Sequence, residues 1–341
     1  MSGVELGGVV AAAQARDEGA FTELVQRYRR ELQVHCYRML GSVVESEDLV
    51  QETFLKAWTK RESFQGRSTF RAWLYRIATN TCLDHLARRP RRVLAYEIVA
   101  AADPKADAPP EPTTSSYAWL EPYPDHLLEG IASDDDPYAV VVAKETIELA
   151  FLAAIQHLPP KQRAVMIMRD VLDWSANETA DVLELSVPAV KSALQRARAT
   201  LREELPPRRT EWAPSTHPSA EERAVLERYM YALAQEGTEA MVEVLRDDVR
   251  VSYAPRALWA DARDDFIEGS SKFAPPGDMR FLATSANRQP AVALYLRPPG
   301  DTAFQLISVE VLRIEGDKIA EIVDYSIPEV LAAFGLPQRL A

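Results

Sequence analysis

Proline divides this 341-residue chain more sharply than any other feature. Residues 96–143 hold Pro104, Pro109, Pro110, Pro112, Pro122, Pro124 and Pro137 together with the acidic run Asp134-Asp135-Asp136. Residues 206–218 hold Pro206, Pro207, Pro214 and Pro218. Proline fixes φ and removes the backbone donor, so neither stretch sustains a helix or a central strand, and both read as linkers. Three folded blocks remain, at about 10–95, 144–205 and 219–336, with no internal repeat. An aromatic island, Trp119 to Asp125, interrupts the first linker. It is either a docking segment or an incidental aromatic in a solvated tether.

Charge follows the same divisions. The net charge of −12 argues against a DNA-binding protein when taken whole, because an acidic body repels phosphate. By segment the picture changes: net +4 for residues 1–95, −9 for 96–143, +1 for 144–210 and −8 for 211–341. Two weakly basic blocks alternate with two acidic ones. With 47% hydrophobic residues the chain can bury cores. Its two cysteines, Cys36 and Cys82, exclude a disulfide scaffold and fit a reducing compartment. The absence of an 18-residue apolar run or a signal-peptide pattern points to a soluble cytoplasmic protein with no membrane contact.

The first two blocks are helical. Phe21, Leu24, Val25, Tyr28 and Leu32 form an amphipathic stripe. A helix from about Ser46 to Lys60 places Leu49, Val50, Thr53, Phe54, Ala57 and Trp58 on one face, with Glu47, Asp48, Gln51, Glu52 and Leu55 on the other. A polar loop containing Gly66 precedes a third helix, Thr69 to Arg88, which ends in Arg88-Arg89-Pro90-Arg91-Arg92. In the second block, Ser175-Ala176-Asn177-Glu178 is a capping box that opens a short helix. After a three-residue turn, Ser186 caps a longer helix carrying Lys191, Arg196, Arg198 and Arg202. The pattern is helix-turn-helix, although a packed pair with a solvated basic face has the same spelling.

The third block changes class. Ser219-Ala220-Glu221-Glu222 opens a helix, a second follows near Thr238 to Leu245, and five strand-like runs come after them: 249–253, 279–284, 291–297, 304–314 and 318–325. Helices followed by strands joined at turns such as Glu315-Gly316-Asp317 predict an α+β domain with antiparallel pairing.

Two ordered motifs carry a resemblance. Residues Asp48 to Trp58 and Phe70 to Asn80 resemble the first promoter-binding domain (region 2) of extracytoplasmic-function (group IV) sigma-70 factors. Leu158-Pro159-Pro160-Lys161-Gln162-Arg163 with the helix-turn-helix resembles their second (region 4). The third block resembles the cone-shaped SnoaL-like domains of the ketosteroid-isomerase-type fold, which some of these factors carry, and Trp119 to Asp125 resembles a linker element of that subgroup. The expected architecture is therefore two all-α sigma domains followed by an α+β SnoaL-like domain.

The resemblance implies partners and roles. Core RNA polymerase would be met through its β′ clamp helices and β subunit, with Asp48, Gln51, Glu52 and Leu55 docking on the clamp. The −10 element would be held by Phe64, Arg67, Arg71, Arg76 and Asn80, with Arg88, Arg89, Arg91 and Arg92 either on phosphate or serving as a basic helix end that suits the dipole. The −35 element would be read by Lys191, Ser192, Gln195 and Arg196, with Arg198 beside them. Pro188-Ala189 stands where Gly-Thr is common and Ala193 where Arg is common, which predicts a weaker −35 grip.

Chemistry of other kinds finds little support in the residues. No His/Cys cluster has metal-ligand spacing and no glycine-rich phosphate loop occurs, so neither metal nor cofactor is expected. Asp261, Asp264, Asp265, Tyr253 and Trp259 lie near the expected mouth of the third block, which holds no histidine. That block is expected to regulate in cis or to sense a small molecule, with a purely structural domain as the other reading. The alternatives are a stand-alone helix-turn-helix regulator with a sensor domain, and a cyclase-like enzyme with a DNA-binding arm.

Overall fold

Five helix starts in the computed structural model fall where a side chain satisfies a free N–H group, at Asp17, Ser42, Thr69, Ser175 and Ser219. The structure describes residues 3–66, 68–101, 117–129, 147–204, 218–235 and 238–341. Most of both proline-rich linkers, and Arg67, lie outside the described residues. Those described form two compact units, Met1–Arg91 with Leu127–Pro214, and Arg92–His126 with Ser215–Ala341. No helix among the described residues is long and apolar enough to cross a membrane.

The first unit is all-helical. Helix α1 (Gly3–Gln14) precedes α2 (Glu18–Leu40), whose cap Asp17 accepts the Ala20 N–H at 3.0 Å. Helix α2 ends at Gly41, where a φ of +71° closes the last turn with a bond to the Tyr37 carbonyl. Ser42 caps α3 (Val43–Lys60) and Thr69 caps α4 (Phe70–Leu86). Leu24 and Leu32 of α2, Val50 of α3, and Leu74 and Ala78 of α4 are buried in the core of this part. Next come α5 (Leu149–Gln156), α6 (Pro160–Met166) continued by a π-helical turn, Ile167–Val171, then α7 (Ala176–Leu183) and α8 (Val187–Glu204). Both halves of the Ser175/Glu178 capping box form, at 2.8 and 3.1 Å.

A buried arginine joins these parts. Arg163 donates to the carbonyls of Ile155, Gln156 and Leu158 at 2.9, 2.9 and 3.2 Å, and to Gln156 Oε1 at 2.6 Å. It also donates to the Met39 carbonyl near the end of α2. A guanidinium with five donors can satisfy several otherwise unpartnered carbonyls at once. Burial still lowers its pKa, to about 10.

The second unit is α+β. Helices α9 (Ala220–Leu233) and α10 (Glu239–Val244) lead into β1 (Leu245–Ala254), β2 (Leu258–Ala260) and α11 (Arg263–Phe273). Strands β3 (Asp278–Ala286), β4 (Gln289–Arg297), β5 (Phe304–Glu315) and β6 (Lys318–Tyr325) follow, then α12 (Pro328–Ala333) and β7 (Arg339–Leu340). The strand order is β2-β1-β6-β5-β4-β3, with β7 pairing β5. The expected antiparallel pairing holds throughout except at β1–β6, which is parallel. One face packs Val225, Leu226 and Tyr229 of α9 against Val251, Val292, Leu312 and Ile322.

The opposite face is buried too, at Ala291, Ala293, Tyr295, Val309, Val311 and Val323. Such a face needs a cover, and the chain between the two sigma-like blocks supplies part of it. Arg250 of β1 stacks on Tyr96 at 4.3 Å, and Trp259 Nε1 donates to the Val99 carbonyl at 2.9 Å. At the β3–β4 turn, Asn287 Oδ1 accepts from Tyr123 N and Asn287 N donates to the Tyr123 carbonyl, both at 2.8 Å. Arg288 N donates to Asp125 Oδ1 at 2.9 Å. The two linker pieces also pair, through Val93 and Trp119. Trp119, Leu120 and Tyr123 are thus buried, and the aromatic island is a docked segment of this unit.

Candidate nucleic-acid interface

On α3 a row of polar residues and one leucine faces away from the core. Asp48, Gln51, Glu52 and Leu55 fall at i, i+3, i+4 and i+7, and all are exposed; Leu55 is 67% exposed. Glu52 pairs with Lys56 at 2.8 Å. Beside this row runs an open groove of about 560 Å³ between α2 and α3, walled by Phe21, Val25, Phe54, Leu55 and Trp58. Phe21 and Val25 belong to the stripe read from sequence as core, yet they are only half-buried. A row of carboxylates around an apolar groove suits a partner that is basic at its edge and apolar at its centre.

The loop after α3 has an ordered root. Phe64 sits 5.5 Å from Phe70 and 5.6 Å from Trp73, ring centre to ring centre, so its side chain is packed. Gln65, Gly66 and Ser68 are exposed beyond it. Of the α4 residues expected to meet DNA, Asn80 is exposed, as are Arg88 and Arg89 after the helix. Arg71 is otherwise engaged: it pairs with the buried Glu31, which also accepts the Tyr75 hydroxyl at 2.8 Å. Its charge offsets a buried carboxylate. Arg92 donates to the Trp119 carbonyl at 2.6 Å and to Glu121 at 2.9 Å. His35 lies behind this layer, bonded to Thr79 at 2.9 Å, and burial lowers its pKa to about 3.

Helix α8 presents Lys191, Ser192, Gln195 and Arg196 outward, with Val190, Ala193, Leu194 and Ala197 packed inward. Arg196 donates to Ser192 Oγ at 2.6 Å, one turn back. Arg198 is held by Asp170 through bonds of 2.7 and 2.6 Å, and so braces the π-helical turn rather than facing outward unpartnered. Ala193 is 7% exposed, on the packed side of the helix. Arg76 donates to the Asp181 carbonyl of α7 and lies 4.0 Å from Glu184. Tyr75 packs on Trp174 at 5.0 Å. One face of α4 is therefore covered by the first helix of the helix-turn-helix and the chain leading into it.

In the second unit the expected carboxylates do not converge. Asp261 and Asp264 are exposed, Asp264 pairs with Arg263, and Trp259 is bound to Val99. Two of the buried acids, Glu310 and Asp324, face each other across β5 and β6, with Tyr253 next in register on β1. Tyr229 of α9 donates to Glu310 at 2.9 Å. Desolvation, followed by the neighbouring Asp324 charge, raises Glu310 to about 8; desolvation raises Asp324 to about 7. Strand parity was the available signal, because Glu310 and Asp324 alternate in phase with core residues Leu312 and Ile322.

Comparison with known proteins is specific. Residues 24–92 match the family model Sigma-70 region 2, and residues 148–201 match Sigma-70, region 4. The ECF RNA polymerase sigma factor SigG of Mycobacterium tuberculosis is 40% identical over 330 residues, covering 94% of this chain and 85% of that protein. SigW of Bacillus subtilis is 30% identical over 189 residues, 55% of this chain and 90% of its own. The crystal structure of Mycobacterium tuberculosis extracytoplasmic function sigma factor SigJ shares the fold, with a TM-score of 0.54 at 19% identity, covering 93% of this chain and 99% of that one. The region 2 match includes the α3 and α4 motifs, for which a stand-alone helix-turn-helix regulator has no use.

Proposed function

Because the chain belongs to the extracytoplasmic-function family of RNA polymerase sigma factors, which bind core polymerase and direct initiation at specific promoters, we propose which surfaces carry each part of that work. Asp48, Gln51, Glu52 and Leu55 dock on the β′ clamp helices. The single observation that carries this assignment is Leu55, a large apolar side chain left in water between carboxylates on an otherwise well-packed helix. Phe64, Arg67, Arg76 and Asn80 hold the melted −10 strand, where a displaced base needs an aromatic wall and amide or hydroxyl donors. Arg88 and Arg89 contact phosphate. Lys191, Ser192, Gln195 and Arg196 read the −35 element in the major groove, with Lys and Arg suited to guanine and Gln to adenine.

The C-terminal α+β domain is SnoaL-like and acts in cis as a regulatory or ligand-responsive module, not as an enzyme. Residues 92–101 and 117–126, in the chain that joins regions 2 and 4, are bonded into that unit, so a change in it is passed to the chain linking the two DNA-binding regions. The domain bounds are 10–95, 144–205 and 219–336, with 96–101 and 117–126 as accessory parts of the last, and the protein works in the cytoplasm beside polymerase. Copurification of the tagged full-length chain tests the core of this reading: retention of β′ that is lost on charge reversal at Asp48 and Glu52 is the expected result. Unchanged retention in that double variant overturns the docking assignment.

A further inference from the structure

We propose that Gln14, at the end of α1, is a positioning residue for promoter recognition, holding the root of the loop that captures the −10 strand. The inference rests on the assignment of the Phe64 loop to the −10 element and adds an element outside the matched region 2 segment, which begins at residue 24. Gln14 Nε2 donates to the Phe64 carbonyl at 2.7 Å, across fifty residues of sequence. On the other side of the same residue, Phe64 N donates to the Arg61 carbonyl at 3.2 Å. The Phe64 ring is fixed between Phe70 and Trp73. Backbone and side chain of Phe64 are thus tied from three directions, and the exposed tip begins one residue later at Gln65.

Gly66, with a φ of +68°, takes up the reversal of the tip and leaves it open. The tie is firm because α1 is itself seated, with Val10 and Ala13 buried. A second link, Arg16 to Glu62 at 3.5 Å, joins two exposed side chains and contributes little. The part-buried amide bond is the one that counts. A loop that must close on a displaced base discriminates best when its root is already ordered, because ordering it at the moment of capture weakens correct and incorrect bases alike.

The test uses full-length protein with core polymerase and promoter duplexes carrying 2-aminopurine in the −10 element. Open-complex formation is measured on the matched sequence and on single-base variants. Gln14→Glu keeps the shape and cannot donate, Gln14→Ala removes the group, and Gln14→Lys restores a donor. Expected is a fall of about three- to tenfold in −10 discrimination for the first two, the size of one hydrogen bond, with partial recovery in Gln14→Lys and core affinity within about twofold of native. Discrimination unchanged in both Gln14→Glu and Gln14→Ala, while Phe64→Ala lowers it, overturns the role of Gln14 and leaves the loop assignment standing. Discrimination unchanged in Phe64→Ala overturns both. A uniform loss on every template with discrimination intact also overturns the proposal, since it reports stability alone.

Discussion

Leu55→Ala separates binding from folding more cleanly than any other change on α3. The side chain is 67% exposed, so most of its apolar surface is available to a partner and little of it holds the fold. Truncation removes three carbons, about 2.4 kcal/mol at roughly 0.8 kcal/mol each when fully buried. Scaling by the exposed share leaves about 1.6 kcal/mol of binding, or about a 15-fold weaker Kd for core polymerase. Folding stability should move by no more than about 0.5 kcal/mol, because both residues are good helix formers and the site is solvated. Phe54→Ala, one position earlier and 7% exposed, is the converse control: it should cost about 3–5 kcal/mol of stability. Fluorescence anisotropy of labelled protein titrated with core polymerase, paired with thermal denaturation of the free protein, reads both quantities. A Kd within threefold of native at an unchanged Tm would refute the docking role of Leu55. A Kd loss accompanied by a fall in Tm of many degrees would refute the claim that the residue is structurally idle.

Three further outcomes are expected. The folded-state pKa values of Glu310 and Asp324 lie above their unfolded values of about 4.3 and 3.9, so the folded C-terminal unit holds protons the unfolded chain has lost. Its stability should therefore fall as pH rises through that window, by on the order of 2–4 kcal/mol between pH 6 and 8, and Glu310→Gln should shrink the fall; calorimetry showing a flat or rising Tm would contradict this. Arg198→Ala should loosen the Asp170 contact by up to about 1 kcal/mol and leave −35 base preference unchanged, whereas Arg196→Ala should change that preference by about 1–3 kcal/mol at one position. Altered base preference in a binding-site selection with Arg198→Ala would count against the division. Asn287→Ala should cost about 2–4 kcal/mol by removing the acceptor for Tyr123 N–H and straining a residue at φ +56°. Chymotrypsin should then cut near Tyr123, and promoter output should shift; a native digestion pattern would show the linker segment is not held there.

Much of this molecule was legible in one dimension because the signals are local. The caps Ser175 and Ser219, the stripe of α2 and the strand-like runs of β4 to β6 are set by residues within a few positions of one another, and the matching elements start within a few residues of where the sequence places them. The outward row on α3 follows from helical spacing, and the outward residues of α8 are those the family resemblance implies. Long-range partnership is a different matter. Arg71, Arg92 and Arg198 are indistinguishable in sequence from Arg88, Arg89 and Arg196, since a guanidinium pairs equally well with phosphate and carboxylate. Only the closure of the fold brings Glu31, Glu121 and Asp170 to the first three.

The same holds for the proline-rich division. Sequence determined that residues 96–143 could not fold on their own, because proline denies them a hydrogen-bonded element and their apolar residues are too few for a core. Tertiary structure decided that Trp119 to Asp125 joins the C-terminal sheet domain, because the β3–β4 turn offers matched backbone partners at Asn287 and Arg288. It also decided that β1 runs parallel to β6, a pairing between strands more than sixty residues apart that no local pattern records.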